Sequence, residues 1–115
     1  MQKPHLKPDF DPPVVVLTTC ADEASAQVLA RALVSERLVA CAQVQAPVRS
    51  HYRWQGELCD ETEYPLQLKT RGGLVDALRE RLQALHSYEV PEFLVLTCSS
   101  TSPAYGDWLR QETQA

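Results

Sequence analysis

No apolar run in these 115 residues approaches the roughly 20 that a helix needs to cross a bilayer. A soluble protein with no membrane partner is therefore expected. Basic charge is scarce: 11 Lys and Arg stand against 15 Asp and Glu, for a formal net charge of −4. Such a chain has little with which to displace counterions from a phosphate backbone, which argues against a nucleic-acid partner. The four cysteines Cys20, Cys41, Cys59 and Cys98 include no C-x-x-C pair. Residues 1–13 carry Pro4, Pro8, Pro12 and Pro13 but no apolar segment of the secretory kind. They read as a flexible tail, and reduced thiols and a cytoplasmic location follow as expectations.

What is present begins with two stretches, 14–20 and 93–99, that are apolar at odd and even positions alike. A strand with one wet face alternates, and one that is apolar throughout is covered on both. A chain this short builds one domain, 14–115, and cannot cover both faces of a sheet by itself. A second copy or another partner must supply the cover.

Between those strands, Asp22 is placed to cap a helix whose face is Ala26, Leu29, Ala30 and Leu33, ending near Arg37. The run 38–46 is partly alternating, and Pro47 breaks it before 48–54, as at an edge or a bulge. Gln55-Gly56 supplies a turn, and a return strand reaches Lys69-Thr70 with Tyr64, Leu66 and Leu68 on one side. Pro65 within it is a second candidate bulge. Leu74, Leu78, Leu82 and Leu85 mark another helix, which Pro91 is expected to terminate. Ser102-Pro103 opens a short last helix with Tyr105, Trp108 and Leu109 as its buried stripe. The order β-α-β-β-α-β-α is the split β-α-β pattern of an α+β, ferredoxin-like sandwich with a C-terminal helix. Right-handed crossovers put both main helices on one sheet face and leave the other bare. Closed cyclic assembly of identical copies would cover it.

The segments Val15-Val16-Leu17-Thr18-Thr19, Arg37-Leu38-Val39-Ala40-Cys41, Tyr52-Arg53-Trp54-Gln55-Gly56, Leu68-Lys69-Thr70 and His86-Ser87-Tyr88-Glu89-Val90-Pro91-Glu92 resemble, in order and spacing, the CutA family of divalent-cation tolerance proteins. The resemblance runs from about Val14 to the C-terminus. It implies a cytoplasmic homotrimer similar in architecture to the signalling protein PII, with clefts between subunits, able in some members to bind copper and with no established catalytic reaction. This chain departs from the family where Thr18 and Arg81 replace cysteines of some members, and where His86-Ser87-Tyr88 replaces His-Pro-Tyr.

For metal, the resemblance puts Cys41 first, since thiolate suits Cu(I); the competing reading is a packed core cysteine. Cys20, just after the first strand, and His86, at the end of the second helix, are further candidate ligands. His86 can equally serve as a helix cap. Cys98 and Cys20 should lie at opposite ends of the sheet and form no local chelate. For a cleft ligand, Trp54, Tyr52, Glu63, Lys69, Tyr88 and Glu92 are the candidates, with Lys69 and Glu63 either orienting a polar ligand or forming an interface ion pair. No cysteine–histidine hydrolase motif and no phosphate loop is present. The expectation is a binding protein, not an enzyme, with copper as a possible ligand that folding does not require. A trimeric small-molecule sensor or scaffold is the alternative.

Overall fold

The computed structural model describes residues 11–115. Strand β1 (Pro13–Cys20) sits inside the sheet, pairing antiparallel with β4 (Glu57–Arg71) on one side and β5 (Leu94–Thr97) on the other. Strands β2 (Cys41–Val44) and β3 (Val48–Trp54) pair with successive stretches of β4, giving the order β2-β4-β1-β5 with β3 beside the far part of β4. Helices α1 (Glu23–Ser35) and α2 (Val75–Leu85) contribute Ala26, Leu29, Leu33, Leu78 and Leu82 to one core with Val14, Val16, Leu66 and Leu68. The fold is ferredoxin-like, and the short α3 (Pro103–Glu112) packs beside β4. Residues 1–10 of the expected tail lie outside the described residues. Pro13 already opens β1, and Asp11 ion-pairs with Arg71 and accepts from the Gly73 amide.

Side chains alternate across a strand, and β1 uses both sets. Val14, Val16, Thr18 and Cys20 are buried under the helices, whereas Val15, Leu17 and Thr19 are half-buried on the other face. There Val15 pairs with Leu96 and Leu17 with Leu94, whose side chains are 52% and 54% exposed. The two-sided apolar pattern thus leaves a real uncovered face in the single chain.

Asp22 caps α1, accepting from the Ser25 amide at 2.7 Å. The helix ends with Arg37 at φ 60, the Leu38 amide reaching back to the Leu33 carbonyl. The Arg37 guanidinium then caps the far end of α3 through the Gln111, Glu112 and Thr113 carbonyls. At the hairpin tip Gln55 and Gly56 both take positive φ, as a two-residue turn matching strand twist requires.

Three sequence expectations need correction. The bulge lies at Pro47 and not at Pro65: Val44 faces Leu66 but Val48 faces Glu63, so four steps of one strand oppose three of the other. Pro65 holds the regular register opposite Thr19, its carbonyl accepting from the Gln45 amide. Helix α2 stops at Leu85, six residues before Pro91, because His86 turns extended at ψ 145. On α3 the buried pair is Gly106 and Leu109, while Tyr105 and Trp108 stack on each other, 41% and 40% exposed.

Candidate functional site

Beyond Cys20 the sheet continues as a two-stranded arm of β3 and the first part of β4, and the segment 86–92 folds back toward its root. Between them lies a groove of about 690 Å³ lined by Thr19, Tyr52, Trp54, Glu63, Tyr88 and Glu92, with Ser50, His51 and 89–91 completing its walls. Five of the six cleft residues expected from sequence therefore meet in one place. The sixth, Lys69, does not: it stands on the open sheet face between Cys41 and Val15. Six residues of extended strand, about 20 Å, separate it from Glu63, so no Lys69–Glu63 pair forms within the chain.

Glu63 is the centre of the groove. It is 8% exposed, and a carboxylate in such a place needs hydrogen bonds. Tyr88 Oη donates to its Oε2 at 2.8 Å and Thr19 Oγ1 donates to the same atom at 3.3 Å. His86 closes the ring. Its Nδ1 accepts from the Tyr88 amide at 3.0 Å, which leaves the proton on Nε2 to donate to the Thr19 carbonyl at 2.7 Å. The turn 86–88 is thereby tied to β1 and β4 together. Burial, then the hydrogen bond to Glu63, pushes the Tyr88 phenol well above its ordinary range. Burial and the neighbouring charge of Glu63 raise the Glu92 carboxyl. On the arm, Tyr52 Oη donates to Glu61, which holds that phenol protonated.

The metal candidates do not converge. Cys20 is buried on the helix side, its thiol pushed up to about 11 by burial and then by Asp22 and Glu63. Its Sγ lies 3.8 Å from His86 Nε2, at the edge of a 270 Å³ apolar pocket between Val28 and Leu85. As placed, His86 has both nitrogens engaged and no free lone pair, and its ring serves β1 rather than the end of α2. Cys41 is half-buried but does not pack in the helix-side core: with Gln43 it faces the open side of the sheet, beside Lys69. Cys20 and Cys41 are on opposite faces. The Cys98 backbone amide donates to the Pro13 carbonyl, at the end of β1 away from Cys20, as the antiparallel register requires. Among the described residues no three His, Cys, Asp or Glu side chains gather as a metal-binding group. A copper site built by one chain alone does not fit these donors; Cys41, on a face that another copy could cover, is the thiol left available.

Sequence reasoning missed the Thr19–His86–Tyr88–Glu63 ring and the contributions of Ser50, His51, Val90 and Pro91. The signal for Ser50 was its spacing of two from Tyr52, and of four from Trp54, which puts all three on one face of β3. The ring runs through a backbone carbonyl and a backbone amide, which residue types do not announce.

Residues 14–112 match the family model of the CutA1 divalent ion tolerance protein. The divalent-cation tolerance protein CutA of Thermus thermophilus is 43% identical over 99 residues, spanning 86% of this chain and 96% of that one. Protein CutA of Mus musculus is 36% identical over 97 residues, 84% of this chain but 55% of its own length, so the chain spans about half of that longer relative. The structure of CutA from Synechococcus elongatus superposes with a TM-score of 0.85 at 44% identity, over 90% of this chain and 91% of that one.

Proposed function

The chain belongs to the CutA1 family of divalent ion tolerance proteins, and from that premise we propose that it supports cation tolerance by binding copper or another divalent metal as a homotrimer, without catalysing a reaction. The observation that carries this reading is the position of Cys41 on the uncovered sheet face. Burying Leu94 and Leu96, each more than half exposed, favours covering that face with further copies at roughly 25 cal/mol per Å² of apolar area. Cys41 stands on the same face at its β2 edge, where copies that cover it can contribute thiols to a shared site, and soft sulfur donors from several chains suit Cu(I). The test is anaerobic titration of the reduced, metal-free protein with Cu(I) against a competing chelator. Saturable binding at a fixed ratio per subunit, lost in Cys41→Ser with the assembly intact, is expected. Weak, non-saturating binding would overturn the metal reading.

The groove favours a second reading, a small-molecule sensor. Its 690 Å³ falls within the roughly 300–1,000 Å³ of small-ligand sites. The ring from Glu63 to His86 gives a ligand there a grip on the 86–88 turn. A ligand that contacts Glu63 should therefore shift the amide resonances of Tyr88 and His86, and unchanged resonances in its presence would remove the sensor role.

A further inference from the structure

The segment that follows α2 is pinned by one side chain through both of its ring nitrogens. His86 Nδ1 accepts from the Tyr88 amide at 3.0 Å, while Nε2–H donates to the Thr19 carbonyl at 2.7 Å. Only the neutral ring with its proton on Nε2 satisfies both contacts. The charged ring carries a proton on each nitrogen, so its Nδ1–H would point at an amide that is itself a donor. Two donors then face each other and that bond is lost. The Tyr88 phenol packs against the imidazole with ring centroids 4.8 Å apart, so the ring cannot turn aside without moving it. Ser87, between the two, fixes no φ as a proline would, and the turn is free to open.

Both partners of the ring lie in its own chain. The imidazole lines the pocket between Val28 and Leu85 on the helix side, while further copies cover the opposite face, that of Leu94 and Leu96. Assembly therefore leaves the two contacts in place. The acidic groups around the ring favour adding a proton to it: Glu63 from β4, joined to it through Tyr88, and Asp22 from the cap of α1, both of which act on the adjoining Cys20 thiol. Glu89 and Glu92 follow on the same segment. Cys20, raised to about 11, stays neutral in acid, as does the raised Tyr88 phenol. Across the groove β3 contributes Tyr52, held protonated by Glu61, and His51, which lies 3.8 Å from Asp60.

We propose that His86 is a pH-sensitive latch: neutral, it holds the 86–92 segment on β1, and protonated, it releases the turn so that Tyr88 leaves Glu63 and one wall of the groove swings out. A histidine ordinarily changes charge between about pH 5 and 8. The closed form binds one proton fewer, so it is favoured toward the upper end of that range and the open form as pH falls. The latch needs neither metal nor ligand and stands apart from both readings above. Cys41, the thiol left for metal, is on the other face of the sheet.

The experiment follows the assembled, ligand-free protein by NMR from pH 8 to pH 5. Imidazole nitrogen shifts report the tautomer and charge of His86, and hydrogen exchange, corrected for the intrinsic rate at each pH, reports opening at the Tyr88 amide. At pH 8 His86 should be the Nε2–H tautomer with Tyr88 protected. By pH 5 that protection should fall about tenfold, the scale of one lost hydrogen bond, with the same midpoint as the His86 ring. The Leu33 amide, inside α1, should stay protected throughout. His86→Asn offers the amide two residues on a side-chain oxygen that does not titrate, and should keep Tyr88 protected at both ends of the range. Glu92→Gln and His51→Gln should leave the midpoint where it is. An Nδ1–H tautomer at pH 8, a ring still neutral at pH 5, or Tyr88 protection that is unchanged while the ring titrates would each overturn the latch. Opening of His86→Asn at the parent's midpoint would remove His86 as its cause, and loss of Leu33 protection together with Tyr88 would replace a local latch by global unfolding.

Discussion

Strand β4 passes through two environments. From Leu66 to Thr70 its alternate residues Leu66, Leu68 and Thr70 are fully buried under α1 and α2, whereas from 57 to 62 every residue but the half-buried Cys59 is exposed. The backbone pairing is continuous throughout, with β1 and β2 along one part and β3 along the other. Pairing alone does not make a core, since a two-stranded ribbon in water is marginal. One half is held by what the chain itself packs on it, and the other waits for something from outside. Glu63 stands at the junction, buried like the first half and acidic like the second.

The contrast is broken most forcefully at Leu68, which is 0% exposed among Val16, Leu33 and Leu78. Leu68→Ala should cost about 3 kcal/mol, the transfer of the lost side chain plus the cavity it leaves. Urea unfolding checks it through the midpoint at constant slope, and the loss should be independent of protein concentration. A cost below about 1 kcal/mol would mean that the buried half is packed more loosely than its exposure indicates.

Cys20, opposite Tyr64 at the same junction, gives the next effect. Its folded-state thiol pKa is raised to about 11 from 9.0, so the native state keeps a proton that the unfolded chain releases. Stability from this source is full below pH 9 and falls as pH rises through 11, by about 2 kcal/mol at most. Cys20→Ala should remove that share of the alkaline slope, measured as the difference between the two proteins' unfolding free energies at pH 8 and pH 11. Parallel slopes would place the thiol in water.

Thr18, opposite Leu66, is 1% exposed and its Oγ1 has no hydrogen-bond partner. An unpaired buried hydroxyl costs about 1–3 kcal/mol, and a methyl of the same shape does not. Thr18→Val should therefore stabilise the protein by about 1 kcal/mol, raising the urea midpoint. A lowered midpoint would show that the hydroxyl has a partner after all.

Much of this was legible in advance, for identifiable reasons. The element order followed from periodicity and punctuation: Asp22 and Ser102 cap the helices they announce, and Gln55-Gly56 makes its turn. The open face was legible because Leu17 and Leu94 are apolar where a wet strand would be polar. Cys41 was ambiguous because a run such as Val39-Ala40-Cys41-Ala42 does not say which alternate set meets the helices; the register with β4 decides it. Pro65 and Pro47 look equivalent in sequence, and only the pairing tells which strand holds the extra residue. The groove residues were named through family resemblance, and so was Lys69, which within one chain stands about 20 Å of extended strand from Glu63.

The smallest effect sharpens the comparison most. Leu58, on the arm, is 78% exposed, so in an isolated chain Leu58→Ser removes almost no buried area and should change stability by less than about 0.5 kcal/mol. The arm's ion pair between Arg49 and Asp60, with side chains 64% and 50% exposed, falls in the same small range. If the arm instead lies against neighbouring copies, Leu58 becomes interface. The cost of Leu58→Ser then grows with protein concentration, because binding stabilises the folded state by mass action. Unfolding the variant and the parent at 1 µM and 100 µM, with sedimentation to count copies, separates the cases. A cost that is small and equal at both concentrations leaves the arm bare; one that appears only at the higher gives the exposed half of β4 the same physical basis as the buried half, supplied by another chain.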